Sequence, residues 1–142
     1  MAREVRWADA PMPAWLGLLR EQQWKTSLHF QWMLRICDVK GALEARGYPP
    51  DVETELSLEV DDPVVAENRG RFLVRIADGR AEVEPGGNGE IRLDVRGLAS
   101  VYAGWMTPAG GRTLGLLEGE ESSLERAARV FAGPTPWMSD MF

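Results

Sequence analysis

The sequence has a single cysteine and a single histidine, and it has fewer basic than acidic residues. One cysteine excludes an internal disulfide framework and is typical of a reducing cytoplasm. The 16 Lys and Arg residues against 22 Asp and Glu residues give a formal net charge of -6 at pH 7. Because no cluster of basic residues is visible, nucleic acid and anionic membrane surfaces are disfavoured as partners. No apolar run approaches a membrane span and no charged-then-apolar leader opens the chain, so we expect a soluble, cytoplasmic protein.

The presence of only one cysteine and one histidine also disfavours thiol catalysis and metal binding. His29 and Cys37 lie in the segment Ser27–Cys37, whose alternating apolar residues predict a strand. In one extended strand they are roughly 26 Å apart at ~3.3 Å per residue, too far for a thiolate–imidazole pair. Zinc needs three or four converging ligands, so no metal is expected. The acidic stretch Asp61–Glu67 matches no calcium loop, and an Asx-Pro turn explains it better.

The chain does have the size and the patterning of a packed domain. Its 142 residues are 44% hydrophobic and 27% charged, which is typical of one globular unit. Apolar residues alternate with polar ones in Glu53–Val60, Gly70–Ala77, Ala81–Glu84 and Ile91–Val95. Asp78-Gly79 predicts a tight hairpin between the second and third of these strands. The glycine-rich stretch Gly86–Gly89 opens no helix, so it predicts a turn rather than a phosphate cradle.

Helical patterns surround these strands. Helices are predicted over Val39–Arg46, Arg96–Trp105 and Ser122–Ala132, and a short helical segment over Arg112–Leu117 after a loop at Pro108–Gly111. Asp38 is a good N-cap for the first helix, and Ser122 with Glu125 forms a capping box for the last. We therefore predict an α+β domain, with a mostly antiparallel sheet of about five strands and helices packed on it. Residues 1–26 are predicted as an N-terminal arm with a short helix, and residues 27–142 as the domain.

Tryptophan, methionine and the C-terminal end are the least ordinary features. The chain has six tryptophans and six methionines, which favour core filling, with an apolar cavity or a partner face as the alternative. Free C-termini are usually polar and frayed, whereas Pro136–Phe142 contains one tryptophan, two methionines and a phenylalanine. Such a tail either docks or aggregates. We predict that it docks, and that it carries the terminal carboxylate with it.

Several short motifs, in order, resemble one family. The string Trp32–Val39, then Ala42-Leu43 and Gly47-Tyr48, resembles the opening of the sterol-carrier-like C-terminal domain of Eis (enhanced intracellular survival)-type GCN5-related N-acetyltransferases (GNATs). The similarity continues through Leu58–Pro63, Asn68–Phe72 and Leu93–Tyr102 with Gly104, and it closes on Arg126–Phe131 and Pro136–Phe142. Their order and spacing make the resemblance specific from Trp32 onwards. It implies a fold like that of sterol carrier protein 2 for residues 27–142.

The resemblance also implies a chemistry. Family members acetylate amines from acetyl-CoA and assemble as oligomers, and their terminal carboxylate transfers a proton in the active site of the acetyltransferase lobe. By position that catalytic role falls on Phe142, with Trp137 and Met141 as substrate-binding residues. The acetyltransferase lobe itself is missing, and the string Arg112–Leu117 lacks the last small residue of the family's pyrophosphate-binding turn. No cofactor is therefore expected in this chain, and acetyl-CoA is expected in the full-length enzyme.

Three functions follow as alternatives. The first is an accessory domain of an Eis-type N-acetyltransferase, inactive alone, whose partners are a GNAT lobe of the same polypeptide or family and a small amine substrate. The second is a carrier of lipids or other apolar ligands, as sterol-carrier proteins are. The third is a structural module that forms a homo-oligomer.

Overall fold

The computed structural model describes residues 14–18, 25, 27 and 33–138. The strands are β1 (Thr54–Asp61), β2 (Gly70–Ala77), β3 (Arg80–Pro85), β4 (Ile91–Asp94) and β5 (Leu117–Gly119). The helices are α1 (Val39–Ala45), α2 (Val95–Tyr102), α3 (Pro108–Thr113) and α4 (Glu121–Val130), with 3₁₀ turns at Ala14–Leu18 and Ala66–Asn68. The predicted α+β class and the five-stranded, mostly antiparallel sheet are confirmed. No helix in the described ranges is long and apolar enough to span a membrane.

The sheet has the strand order β3-β2-β1-β4-β5. Strands β1 and β4 run parallel, and the other three neighbouring pairs are antiparallel. The predicted hairpin joins β2 to β3, and Asp78 and Gly79 both have positive φ, 50° and 74°. Since β3 is an edge strand and β4 pairs with β1, the chain must cross the sheet between β3 and β4.

The glycine-rich stretch makes this crossing. Gly89 N donates to Ser57 Oγ at 2.8 Å, so the crossing lies directly on the outer face of β1 and buries Ser57 there. A Cβ atom built on Gly87, where φ is +92°, would lie 2.2 Å from Ser57 Oγ. Glycine is therefore required both by the backbone angle and by the close approach. The stretch opens no helix, as predicted, but the predicted tight turn is wrong, because the stretch crosses the sheet between strands that are not neighbours.

The core lies between the inner face of the sheet and the helices. Helix α1 packs against β3, α4 against β1 and α2 against β4. The core side chains are mainly aliphatic, and Leu43, Leu56, Leu58, Leu98 and Leu124 are among the largest fully buried ones. Trp105 and Trp137 are exposed and Trp15 is half-buried, so core filling is wrong for the three tryptophans in the described ranges. The other three tryptophans lie outside those ranges.

The outer face of the sheet is charged. Arg75 on β2 joins Glu55 on β1 at 2.9 Å and Glu84 on β3 at 2.8 Å. Further along the same face, Arg71 pairs with Glu59 at 3.1 Å. Alternation along the strands therefore separates an apolar inner face from a face of cross-strand ion pairs.

The strand predicted over Ser27–Cys37 is wrong for the part that the structure describes. Residues 33–37 belong to no strand, and Met33 is 95% exposed. The fifth strand is instead Leu117–Gly119, which pairs with β4. The segment before α1 is held by side chains rather than by a β ladder.

Asp62 is the residue that holds this segment. It is fully buried, and both of its carboxylate oxygens lie 2.8 Å from the Arg35 guanidinium. Its Oδ1 also accepts from Val64 N at 2.9 Å and Val65 N at 3.1 Å, which confirms the predicted Asx turn after β1. Burial alone raises the pKa of Asp62, but hydrogen bonds from Asn68, the two backbone amides and Arg35 outweigh it and hold that pKa well below its usual range.

Asn68 extends the same network to the start of α1. Its Nδ2 donates to Asp62 Oδ2 at 2.9 Å and to Ile36 O at 3.2 Å, and its Oδ1 accepts from Val39 N at 3.0 Å. Because these bonds already use the backbone of Ile36 and Val39, the chain is drawn along the β1–β2 connection instead of into a sheet. We call Arg35, Asp62 and Asn68 the entry network.

Two helix starts differ from the prediction because side chains cap them. The helix predicted from Arg96 to Trp105 is α2, which begins at Val95 because Asp94 accepts from Gly97 N at 2.7 Å. The predicted loop at Pro108–Gly111 is wrong, since these residues form most of α3. Thr107 Oγ1 accepts from Gly110 N at 3.1 Å, and Pro108 at the first helical position favours helix initiation.

The chain after α3 also departs from the prediction. The helical segment predicted over Arg112–Leu117 stops at Thr113, and Leu117 pairs with Leu93 in the sheet. The predicted capping box is wrong, because α4 begins one residue earlier and its N-cap, Glu120, makes no side-chain bond.

Gly97 provides a test of how α2 packs. A Cβ atom there would lie 2.5 Å from Leu116 O, so we expect Gly97→Ala to destabilise the fold by about 1–3 kcal/mol. In an open helix the same change would be stabilising. Gly47→Ala is the control, because a Cβ at Gly47 meets nothing within 4 Å and should change stability by less than about 0.5 kcal/mol. Urea unfolding measures both, and equal effects would contradict the close approach.

Asp62 makes stability depend on acid pH. Because its pKa is depressed in the folded chain, the stabilisation is complete above the unfolded value of about 3.9 and is lost as pH falls through the folded pKa. Asp62→Asn should lower the melting temperature at pH 7 by on the order of 10 °C. The difference from the unmodified chain should shrink between about pH 5 and pH 2. Asp51→Asn, at an exposed carboxylate, is the control, and a pH-independent difference for Asp62→Asn would contradict the network.

Candidate functional site

The residues predicted for function lie in the C-terminal tail or outside the described ranges. Trp137 is described and is 45% exposed. Met141 and Phe142 lie outside the described residues, as does His29. Cys37 is exposed, and the described residues contain no group of three or more His, Cys, Asp or Glu side chains able to hold a metal ion. The site assignment to Phe142, Trp137 and Met141 stays a prediction.

The described part of the tail runs along the surface. Residues 132–138 form neither helix nor strand, and residues 132–135 are exposed. The tail passes the end of α2, since a Cβ atom on Gly104 would lie 3.3 Å from Pro134 O. Trp137 is nearly half exposed and Met138 is 38% exposed. Up to residue 138, therefore, the tail enters no pocket of its own domain.

Arg46 holds the point where the tail begins. Its Nη1 donates to Val130 O at 3.3 Å and its Nη2 to Phe131 O at 3.1 Å, the last carbonyls of α4. Its Nε donates to Tyr102 O at 3.0 Å, at the end of α2. Arg46 is itself the C-cap of α1, so a residue at the end of one helix binds the C-terminal ends of two others, α2 and α4. Helix ends carry unpaired carbonyls and partial negative charge, and a cation stabilises both.

Three aromatic rings surround the guanidinium. Its central carbon lies 5.2 Å from the ring centre of Tyr48, 5.8 Å from that of Tyr102 and 5.3 Å from that of Phe131. At such distances the negative faces of aromatic rings attract a cation. We call Arg46 and these three residues the exit cluster.

The two tyrosines of the exit cluster donate hydrogen bonds to carbonyl groups of α1. Tyr48 Oη donates to Leu43 O at 2.7 Å, and Tyr102 Oη donates to Ala42 O at 3.1 Å. Burial lowers the pKa of the Arg46 guanidinium, while the two tyrosines raise it. Burial raises the pKa of Tyr48 to about 12, against the opposing effect of the Arg46 charge. The cluster is thus a half-buried cation surrounded by three aromatic rings.

Sequence reasoning missed Arg46. A basic residue at the end of a predicted helix is an ordinary signal that complements the helix dipole. Nothing in the pattern indicated that α2 and α4 would end at the same place. Tyr48 and Tyr102 are far apart in sequence, and only the packing of the three helices brings them to one guanidinium.

A phosphate-containing cofactor finds no cradle in the described part of the chain. One first-turn amide of each of the helices α1, α2 and α3 is already bonded to a capping side chain, of Asp38, Asp94 and Thr107 respectively. Helix α4 starts with Glu120 and Glu121, whose charges oppose an anion. The expectation that this chain itself binds no cofactor stays a prediction.

Charged residues contribute much of the lining of two concavities on the surface of the described residues. One is lined by Glu59, Val60, Asp61, Arg69, Gly70, Arg71, Arg92, Leu93, Gly115 and Glu118, and the other by Arg75, Ala77, Asp78, Arg80, Ala81 and Glu82. Both are open at the surface, unlike the enclosed cavity expected of a lipid carrier. The lipid-carrier alternative gains no support from them.

Comparisons with known proteins agree with this fold. The family model of the sterol carrier protein domain matches residues 39–139. The N-acetyltransferase Eis of Mycobacterium tuberculosis is 38% identical over 106 residues, which cover 72% of this chain and 25% of that protein. A GCN5-related N-acetyltransferase from Anabaena variabilis is 46% identical with a TM-score of 0.90, over 94% of this chain and 34% of that one. A GCN5-related N-acetyltransferase from Kribbella flavida is 37% identical with a TM-score of 0.71, over 76% and 28%.

The chain belongs to the sterol carrier protein domain family. Within it, the chain is the form related to Eis-type GCN5-related N-acetyltransferases, as the resemblance implied. It spans about a quarter of the length of the curated Eis relatives. The division predicted between residues 26 and 27 stays a prediction.

Tyr48 makes the exit cluster testable at alkaline pH. Its pKa is about 12 in the folded chain against about 10 when unfolded, so its contribution to stability is complete below about pH 10 and is lost as pH rises through the folded value. Tyr48→Phe should therefore show a shallower fall in stability between about pH 10 and pH 12. Denaturant unfolding at several pH values measures this, with Tyr102→Phe as the control. Identical slopes for Tyr48→Phe and the unmodified chain would contradict the burial of this phenol.

Proposed function

We propose that the chain is the accessory domain of an Eis-type N-acetyltransferase. It shapes the pocket for a small amine substrate and presents the Phe142 carboxylate to accept a proton from that amine. The observation that carries the proposal is the course of the tail, which leaves the exit cluster along the surface with Trp137 nearly half exposed. An apolar segment at a surface is stabilised when another surface covers it. The relatives supply one in principle, because this chain covers only 25% of Eis.

The chemistry suits a carboxylate. An amine attacks a thioester only as the free base, so an ammonium substrate must first give up a proton to a positioned base. A terminal carboxylate with a pKa of ~3.5 is a weak base in water, and burial among apolar side chains raises that pKa. Trp137 and Met141 are the apolar neighbours in the tail, and the Trp137 indole face can also attract the ammonium.

Acetyl-CoA supplies the acetyl group in this proposal. Since a capping side chain of this chain already occupies a first-turn amide in each of α1, α2 and α3, we assign its binding to the GNAT lobe. The isolated chain is then inactive, and the GNAT lobe of the same polypeptide or family is the required partner. Assembly of the whole enzyme as a homo-oligomer is part of the proposal as well.

The test compares two changes at Phe142 in the enzyme joined to its upstream lobes. A C-terminal amide, made by ligation, removes the negative charge and should lower kcat by about 10²- to 10⁴-fold. Phe142→Leu keeps the carboxylate and is the matched control, with an expected loss below about tenfold. Kinetics over pH with an amine acceptor measures both. An amide with full activity would overturn the catalytic role, and equal losses for the two variants would show that any disturbance of the chain end, rather than removal of the charge, lowers activity.

A further inference from the structure

We propose that Arg46 is a positioning residue, which fixes the direction in which the C-terminal tail leaves the domain. Its catalytic consequence, the placement of the Phe142 carboxylate, rests on the proposed function. The structural part does not, because it concerns contacts within the described chain. Arg46 touches neither substrate nor cofactor in this proposal and acts only through the tail.

The hydrogen bonds place Arg46 at the root of the tail. Nη1 and Nη2 bind the carbonyls of two successive residues, Val130 and Phe131, and therefore constrain the orientation of both peptide groups. The guanidinium is itself held, through Nε to Tyr102 O and by the three rings of the exit cluster. A planar fork with five donors can make all these contacts at once, whereas a lysine ammonium on a flexible stem cannot.

Beyond Ala132, the described tail forms no backbone hydrogen bond that could fix its direction in place of Arg46. The last backbone hydrogen bond of the described tail is Ala132 N to Arg129 O, at 3.4 Å, and residues 133–138 form no regular structure. The peptide groups of Val130 and Phe131 are therefore the last of the described tail that a side chain of the domain orients by hydrogen bonds. If extended, the chain from Phe131 to Phe142 reaches roughly 36 Å, so a change of about 10° at its root moves its end by about 6 Å. Proton transfer needs hydrogen-bond contact and does not tolerate such a displacement.

The structural part is tested with a nitroxide spin label on the tail of this chain. The label is attached at Thr135→Cys in a Cys37→Ser background, and a control label at Glu125→Cys on α4; both positions are exposed. We expect Arg46→Lys to shorten the rotational correlation time at residue 135 by about twofold or more and to leave residue 125 unchanged. Tyr102→Leu removes one ring and keeps Arg46, and should act in the same direction if Arg46→Lys fails to fold. An unchanged spectrum at residue 135 in a folded variant would overturn the proposal.

The catalytic consequence is tested by a double-mutant cycle in the enzyme joined to its upstream lobes. Arg46→Lys should lower kcat by about 10- to 100-fold when the Phe142 carboxylate is present. In the C-terminal amide it should have an effect below about twofold, because the group it positions is gone. Equal losses in both backgrounds would contradict positioning while leaving the proposed function intact. A fully active amide would refute the proposed function, and the spin label alone would then decide whether Arg46 directs the tail.

Discussion

The arrangement of the helices depends on the hydrogen bonds that the Arg46 guanidinium donates to carbonyl groups at helix ends. Three helices end beside this guanidinium, and it binds the terminal carbonyl groups of two of them, α2 and α4. A single cation with a rigid set of donors satisfies these carbonyls together, and the rings of Tyr48, Tyr102 and Phe131 surround it. Removing it would leave several carbonyls of α2 and α4 without partners, which is costlier than the loss of an exposed ion pair.

Helix α1 connects the exit cluster to the entry network. Its first residue, Val39, is bonded to Asn68 in the entry network, and its C-cap is Arg46. Seven residues span about 10 Å, so the segment that enters the domain and the segment that leaves it are held by the two ends of one short helix. The sheet supplies a rigid base for this helix through its packing on β3.

Membership of the sterol carrier protein domain family does not by itself imply that the chain carries lipids. A fold fixes a scaffold, and activity depends on what the scaffold presents. Here the inner face of the sheet is filled by packed aliphatic side chains, and the outer face bears ion pairs such as Arg75 with Glu55 and Glu84. Neither face of the described domain is an apolar tunnel.

Local patterns in the sequence determined the four strands β1 to β4, the hairpin at Asp78-Gly79, helix α1 with its Asp38 cap and the fold class. Each depends on alternation, turn chemistry or capping within about ten residues, which are readable without a fold. Tertiary structure alone decided that β1 and β4 pair in parallel, that residues 33–37 follow the buried Asp62 rather than a sheet, and that Arg46 meets α2 and α4. These depend on contacts between residues 27 to 85 positions apart, where burial and hydrogen bonding override the local pattern.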